Sequence, residues 1–397
     1  MLGGSLAQVP CITKAKEMGI YTIICDYLPD NPGQEYADEY YNISTTDKEK
    51  VLGLAKTLDL DGIVCYASDP AAPTAAYVAE ALGLPTSPYQ SVEILSNKDL
   101  FRDFLRENGF NCPKSYNCSS EEEIINAVQH MTFPLLIKPV DSSGSKGVSL
   151  VENMEELQLA IPDAFHFSRR KIVILEEFVE SVGPPIGGDG FSVDGKFVFW
   201  AFADIFFDDK SKNPMAPVAE TYPCSITKNV QHKIVNDIQR LLTLLDMKTC
   251  AYNIEVRIDS KDNVYLMEIG PRSGGNAIPE ITRMATGVDM IEYTIKAALG
   301  EDCSTIPFHE IEGFWSTTHI HSNQEGELVS IEIDDDFRKN NFISFRTEYK
   351  KGIFVPAFKG SNGSMGSMIS KFSSLEEMME KTKNFDHYVR VIVKPID

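Results

Sequence analysis

Along the first 95 or so residues, short apolar runs alternate with stretches whose apolar positions recur every three or four. YTIICD and GIVCYASD read as strands, and Lys14 to Met18, Lys48 to Leu58 and Thr74 to Leu82 read as helices. Strand and helix in alternation imply a parallel sheet with crossover helices. Only Met1 and Leu2 precede the first glycines, so the opening strand is short; a native start several residues upstream would complete it.

From Asn97 the pattern changes. NKDLFRDFLREN is an amphipathic helix ended by Gly109, followed by the strands FPLLIKPV, GVSLV and KIVILEEFV with a helix between the last two. That is an α+β lobe with antiparallel strands. Gly187 to Leu299 carries FSVDGKFVFWAFADI, a long helix from Thr227 to Leu245, and the strands AYNIEVRID and NVYLMEIG. A β-rich region with one helix at Ser374 to Thr382 follows. The expected architecture is a multidomain α/β and α+β chain: an N-terminal α/β domain over 1–94, a two-lobed unit over 95–302 hinged near 176–190, and a C-terminal α+β domain over 303–397.

Composition narrows the function. At 397 residues the chain is long enough to build a cleft between subdomains. Its formal net charge of -21 argues against a nucleic-acid partner, which needs clustered Lys and Arg. No apolar run is long enough for a membrane span. The eight cysteines show neither CxxC pairs nor zinc-site spacing, and no secretory signal is evident, so a cytoplasmic protein with reduced thiols is expected. The Gly-rich turn GGSLAQ with Asp26 lacks GxGxxG, which disfavours a dinucleotide site. Ser68 and Asp69, at a strand C-terminus of an open parallel sheet, stand where a ligand commonly binds.

Candidate chemistry concentrates in the middle of the chain. AYNIEVRID alternates, with Ile254, Val256 and Ile258 on one face and Asn253, Glu255 and Arg257 on the other. If DSKDN closes a hairpin that pairs Ile258 with Tyr265, Glu255 falls opposite Glu268. Opposed like charges destabilise a sheet unless something compensates: a shifted pKa, Arg257 and Arg272 nearby, or a divalent cation. Mg²⁺ suits such a pair, because it binds through one or two carboxylates and completes its shell with water and phosphate. LLIKPVDSSGSKGVSL puts Lys138 on an apolar strand before a loop of small residues that lets backbone N–H groups approach an anion. ILEEFV runs into SVGPPIGGDG, a natural hinge whose backbone could read an adenine edge. His319 and His321 share a strand face and read as a satisfied structural pair.

Taken in order, NKDLFRDFL, LLIKPVDSSGSKGV, ILEEFV, NIEVRI and LMEIGPRSGGN resemble the ATP-grasp superfamily of carboxylate–amine ligases, closest to its L-amino-acid ligase, phosphoribosylglycinamide synthetase and carbamoyl-phosphate synthase-like branch. The resemblance implies that Lys98 and Lys138 contact ATP phosphates and that Ser142, Ser143, Gly144, Ser145 and Gly147 form a mobile loop over the triphosphate. Glu176, Glu177, Phe178 and Val179 become the adenine hinge, and Glu255 and Glu268 the ligands of one or two Mg²⁺, with Mn²⁺ able to substitute. Arg272 would hold the carboxylate or acyl-phosphate oxygens, with Asn276 close by. Two positions depart from the pattern: Gly270 stands where relatives carry Asn, and the ribose-binding acid is absent unless Glu180 or Asp189 replaces it.

The implied activity is ATP-dependent ligation. A carboxylate is activated as an acyl phosphate and then captured by an amine, with ADP and phosphate released. A bicarbonate-activating enzyme of the same fold and a catalytically silent ATP-binding module are the alternatives. The implied partners are a small-molecule carboxylate and an amine, with a homodimer left open. Neither acid nor amine is named by any readable code.

Overall fold

The structure is a computed structural model that describes residues 1–360 and 363–395. The N-terminal sheet is parallel but small: Ile23–Asp26 pairs with Glu39–Asn42, a strand the apolar pattern did not single out. GIVCYASD, expected as a strand, makes only one isolated parallel bridge, Cys65 with Leu2. The cause is the short first strand. Among the described residues Leu2 alone bridges both Cys25 and Cys65, and beside it lies a cavity of about 550 Å³ whose lining includes Ile23, Val51, Ile63 and Val64. The helices Val9–Glu17, Lys48–Ala55 and Ala72–Leu82 cover this sheet. Asp26 is buried and accepts from Gly4 N–H at 2.8 Å, so it closes the Gly-rich turn rather than opening toward a ligand.

The smaller lobe of the middle unit is a four-stranded antiparallel sheet in the order Ser115–Cys118, Val173–Glu177, Leu135–Pro139, Ser149–Val151. Leu135, Ile137, Val173 and Leu175 face Leu157 and Ile161 of the helix Met154–Phe167 and form its core. The alternate residues Leu136, Lys138, Ile174 and Glu176 therefore point to the other face. That face bounds the cleft.

The larger sheet has eight antiparallel strands in the order Val264–Gly270, Cys250–Ile258, Ile186–Val193, Lys196–Phe207, Pro217–Tyr222, Phe314–His319, Ser367–Phe372, Phe342–Arg346. Three strands from beyond residue 303 thus extend the central sheet. The helix Lys228–Leu244 packs on this sheet through Val230, Ile234, Ile238, Leu241 and Leu242, whose spacing of about four residues makes one apolar stripe. Thr227 caps it by accepting from Val230 N–H. A separate three-stranded sheet, Phe354–Val355, Gly326–Ile333, Val389–Lys394, and the helix Leu375–Lys383 complete the C-terminal region. No helix among the described residues is long and apolar enough to cross a membrane, and all eight cysteines are free.

Gly188 lies in the middle of this sheet at φ +122, and a Cβ there would sit 2.0 Å from Ala201 O. Gly188→Ala is therefore expected to cost about 2–5 kcal/mol through backbone strain and overpacking. Gly53, inside the helix Lys48–Ala55 with open space around it, should behave oppositely: Gly53→Ala is expected to stabilise by about 0.5–1 kcal/mol. Thermal unfolding of the two variants beside the parent checks both signs.

Candidate active site

Glu255 and Glu268 are direct cross-strand partners, as the alternation implied, but not through the expected register. Ile258 pairs with Val264 rather than Tyr265, and a bulge between Glu255 and Val256 adds the missing residue and restores the Glu255–Glu268 match. Glu268 bears on a cation. Lys98 Nζ lies 3.0 Å from Glu268 Oε2 and 3.2 Å from Ser142 O, which links the first residue of the helix Lys98–Glu107, one carboxylate of the opposed pair and the small-residue loop. Burial lowers the Lys98 pKa, but Glu268 outweighs it and the ammonium is held above its ordinary value.

Lys138 reaches across the cleft face of the small sheet to Glu176, a carboxylate with no solvent exposure. Arg102, itself 1% exposed, donates to the same carboxylate through Nε at 2.6 Å and reaches Met267 O through Nη2 at 2.9 Å. Burial would raise the Glu176 pKa, yet Arg102 and then Lys138 hold it down at about 2. Glu176 is therefore the anchor of Lys138, not an open hinge residue. Arg102 was not singled out from the sequence, although it lies four residues from Lys98 and so shares its helix face.

The remaining residues of the expected hinge are partly engaged. Glu177 accepts from Thr132 N–H at 3.0 Å, which turns its side chain toward the small lobe. Phe178 N–H donates to Pro134 O, and Val179 O accepts from Arg257 Nη1 at 2.9 Å while the Arg257 guanidinium covers the Phe178 ring. Among the described residues, Phe178 C=O and Val179 N–H have no protein partner.

Lys98, Lys138, Ser142, Ser143, Gly144, Ser145, Glu255, Arg257 and Glu268 line one cavity of about 80 Å³, with Met215 from another loop. Gly147 lies at the loop's end at φ +72, where a Cβ would meet Pro139 at 2.9 Å. Asn276 stands apart from this cavity. Its backbone is left-handed at φ +54 and its carbonyl accepts from Thr317 Oγ1 at 2.6 Å.

Arg272, expected as an open anion clamp, is already clamped. Its Nε donates to Asp69 Oδ1 at 2.7 Å, Nη2 to Asp69 Oδ2, and Nη1 to Ser273 O, so the fork of the N-terminal carboxylate fills the guanidinium edge. The same pair explains Gly270. A Cβ at 270 would sit 2.7 Å from Asp69 Oδ1, so no Asn side chain fits there while the pair stands. Ser68 precedes Asp69 and its carbonyl accepts from Cys65 Sγ. Asp189 does not reach toward a ribose: it is fully buried, with both oxygens accepting from Gly274 N–H and Oδ1 also from Asn253. Burial pushes its pKa up to about 7 against those bonds. The histidine pair is likewise internally bonded, His319 Nδ1 to Ser364 Oγ at 2.8 Å and His321 Nδ1 to the His319 carbonyl.

The donor set fits Mg²⁺. Two carboxylates from adjacent strands supply hard oxygens, and among the described residues no third ligating side chain joins them, which leaves the rest of an octahedral shell to water and phosphate as this ion prefers.

Glu176→Gln removes one partner of a buried charge network and is expected to destabilise by about 3–5 kcal/mol in chemical denaturation. The pH dependence has a definite sign. Because the folded pKa lies near 2 and the ordinary value is 4.5, Glu176 stabilises fully above pH 4.5 and progressively less as pH falls toward 2. The variant should lose that part of the acid limb.

The model of the D-ala D-ala ligase C-terminus family matches residues 110–293. An uncharacterized protein of Sinorhizobium fredii, y4rH, is 26% identical over 67% of this chain and 55% of its own length. The carbamoyl phosphate synthase large chain of Clostridium perfringens is 21% identical over 96% of this chain and 36% of its own. The chain thus spans about half, or less, of these relatives' lengths. Among solved structures, an L-amino acid ligase from Bacillus licheniformis superposes with a TM-score of 0.83 at 20% identity, covering 99% of this chain and 98% of that one. A phosphoribosylglycinamide synthetase from Anaerococcus prevotii gives a TM-score of 0.75 at 20% identity over 99% and 98%. The chain thus has the ATP-grasp fold over nearly its whole length, and its residues 110–293 match the D-ala D-ala ligase C-terminus model.

Proposed function

We propose that the protein is an ATP-dependent ligase that joins a small-molecule carboxylate to an amine. The observation that carries this reading is the single cavity shared by Lys98, Lys138, the 142–147 loop and the opposed pair Glu255 and Glu268. Two ammonium groups, backbone amides of small residues and two hard carboxylates are the parts that phosphoryl transfer needs, since it relies on positioning and charge neutralisation more than on proton chemistry.

In the first step a carboxylate oxygen attacks the γ-phosphorus of ATP, the bond to the bridging oxygen breaks, and ADP departs. Lys98 and Lys138 hold phosphate oxygens, and Lys138 is kept extended into the cleft by Glu176. Glu255 and Glu268 would hold Mg²⁺, which when bound neutralises charge on the phosphate oxygens. The unpartnered Phe178 C=O and Val179 N–H offer an acceptor and a donor for the adenine edge. In the second step the amine nitrogen attacks the acyl carbonyl, the C–N bond forms, phosphate leaves with the electron pair of the C–O bond, and the nitrogen gives up one proton to the departing phosphate. Arg272 serves the anion only if a substrate carboxylate or acyl phosphate takes the guanidinium edge that Asp69 holds. Asp69 is thus an internal competitor with the geometry of a substrate carboxylate.

A phosphate-release screen of carboxylates, each with and without amines and with a bicarbonate arm, tests the reading. Acid- and amine-dependent ADP and phosphate formation is expected, and Glu268→Gln should lower it by about 100-fold or more. Turnover with bicarbonate alone would assign the chain to carboxylation. Full Mg²⁺-dependent turnover in Glu268→Gln would refute the metal assignment.

A further inference from the structure

The loop between the strands Lys196–Phe207 and Pro217–Tyr222 runs between the small-residue loop 142–147 and the C-terminal region. It is tied to both. At its start, Asp208 Oδ2 accepts from Asn323 Nδ2 at 2.7 Å and lies 3.4 Å from His321 Nε2; Lys210 pairs with Asp386 at 2.9 Å. At its middle, Asn213 Nδ2 donates to two carbonyls at once, Ser145 O at 3.2 Å and Lys359 O at 3.0 Å, while its Oδ1 accepts from Met215 N–H at 3.0 Å. Ser145 answers with its own hydroxyl, donated to Met215 O at 3.2 Å. Ser145 is also a non-glycine residue at φ +58, a conformation that needs support from its surroundings.

One amide side chain thus joins three segments far apart in sequence. Met215 lines the same cavity as Lys98, Lys138, Glu255 and Glu268. That cavity, at about 80 Å³, is several-fold smaller than the roughly 300 Å³ at the low end of small-molecule sites. A nucleotide triphosphate therefore passes only when the 142–147 loop lifts. Lifting it breaks the Asn213 and Ser145 bonds.

We propose that Asn213 is a positioning residue that latches the 142–147 loop to the C-terminal region and so governs how long a nucleotide is retained. This rests on the reading of that loop as the cover of the triphosphate. The C-terminal region then acts on the phosphate site through the Asp208 to Ala216 loop, without touching the nucleotide itself.

Asn213→Asp is the sharp test, because it keeps the size and the oxygen that accepts from Met215 but removes both donated bonds. Loss of those bonds is expected to raise amide hydrogen exchange in residues 143–147 of the ligand-free protein by about tenfold. The dissociation rate of a fluorescent N-methylanthraniloyl ATP, with Mg²⁺ present, should rise by a similar factor while the thermal midpoint stays near the parent's. Asp208→Asn, which loosens the other end of the same loop, should shift both readouts the same way and guards against a folding defect in the first variant. Unchanged exchange in both variants overturns the latch. Faster exchange with an unchanged dissociation rate overturns its role in nucleotide retention. If the parent binds no nucleotide at all, the ligase reading fails, and the exchange measurement still decides the latch.

Discussion

Glu176 has no access to water and is held between Arg102 and Lys138, and from that one carboxylate the geometry of the cleft follows. Its strand belongs to the small lobe, Arg102 belongs to the helix Lys98–Glu107, and the same guanidinium reaches the carbonyl beside Glu268 on the large sheet. Burying three charges is costly, and a well-packed apolar trio would hold the fold as firmly. What the apolar trio could not do is leave an ammonium pointing into the cleft at a fixed distance from two opposed glutamates. The network stabilises a position rather than a domain.

The second constraint is the Glu255–Glu268 register. Like charges face one another across a strand pair, with Lys98 pulled onto one of them, and a bulge is spent to keep them in line. A sheet under no functional demand gains from sliding such a pair apart. Beside it, Asp69 of the N-terminal domain fills both the edge of Arg272 and the space above Gly270. Gly270 is accordingly the residue this chain needs while Asp69 occupies that space.

The parts of this architecture that are periodic were legible in the sequence. The strand alternation around Glu255, the amphipathic helices and the strand and loop around Lys138 could be read because side-chain period and burial go together. The register was reached through the wrong hairpin pairing, and no local signal announces a bulge. GIVCYASD reads as a strand on its own residues, but a strand exists only with partners, and Leu2 alone supplies one. Arg102, Asn213 and the Asp69–Arg272 pair stayed hidden for a common reason. Each works through a partner more than 40 residues away: Arg102 and Asn213 look in sequence like ordinary solvated polar residues, and Asp69 and Arg272 stand out singly but carry no sign of their pairing. Arg102 is the partial exception, since its spacing from Lys98 puts both on one helix face.

In the proposed function the paired glutamates, the two lysines and the 142–147 loop form one site for a magnesium-bound nucleotide triphosphate. Calorimetric titration of ATP into the intact protein tests it most directly, once with excess Mg²⁺ and once with EDTA. Saturable binding of one ATP per chain is expected with Mg²⁺, with a loss of at least tenfold in affinity without it. Equal affinity under both conditions, or no binding under either, would contradict it.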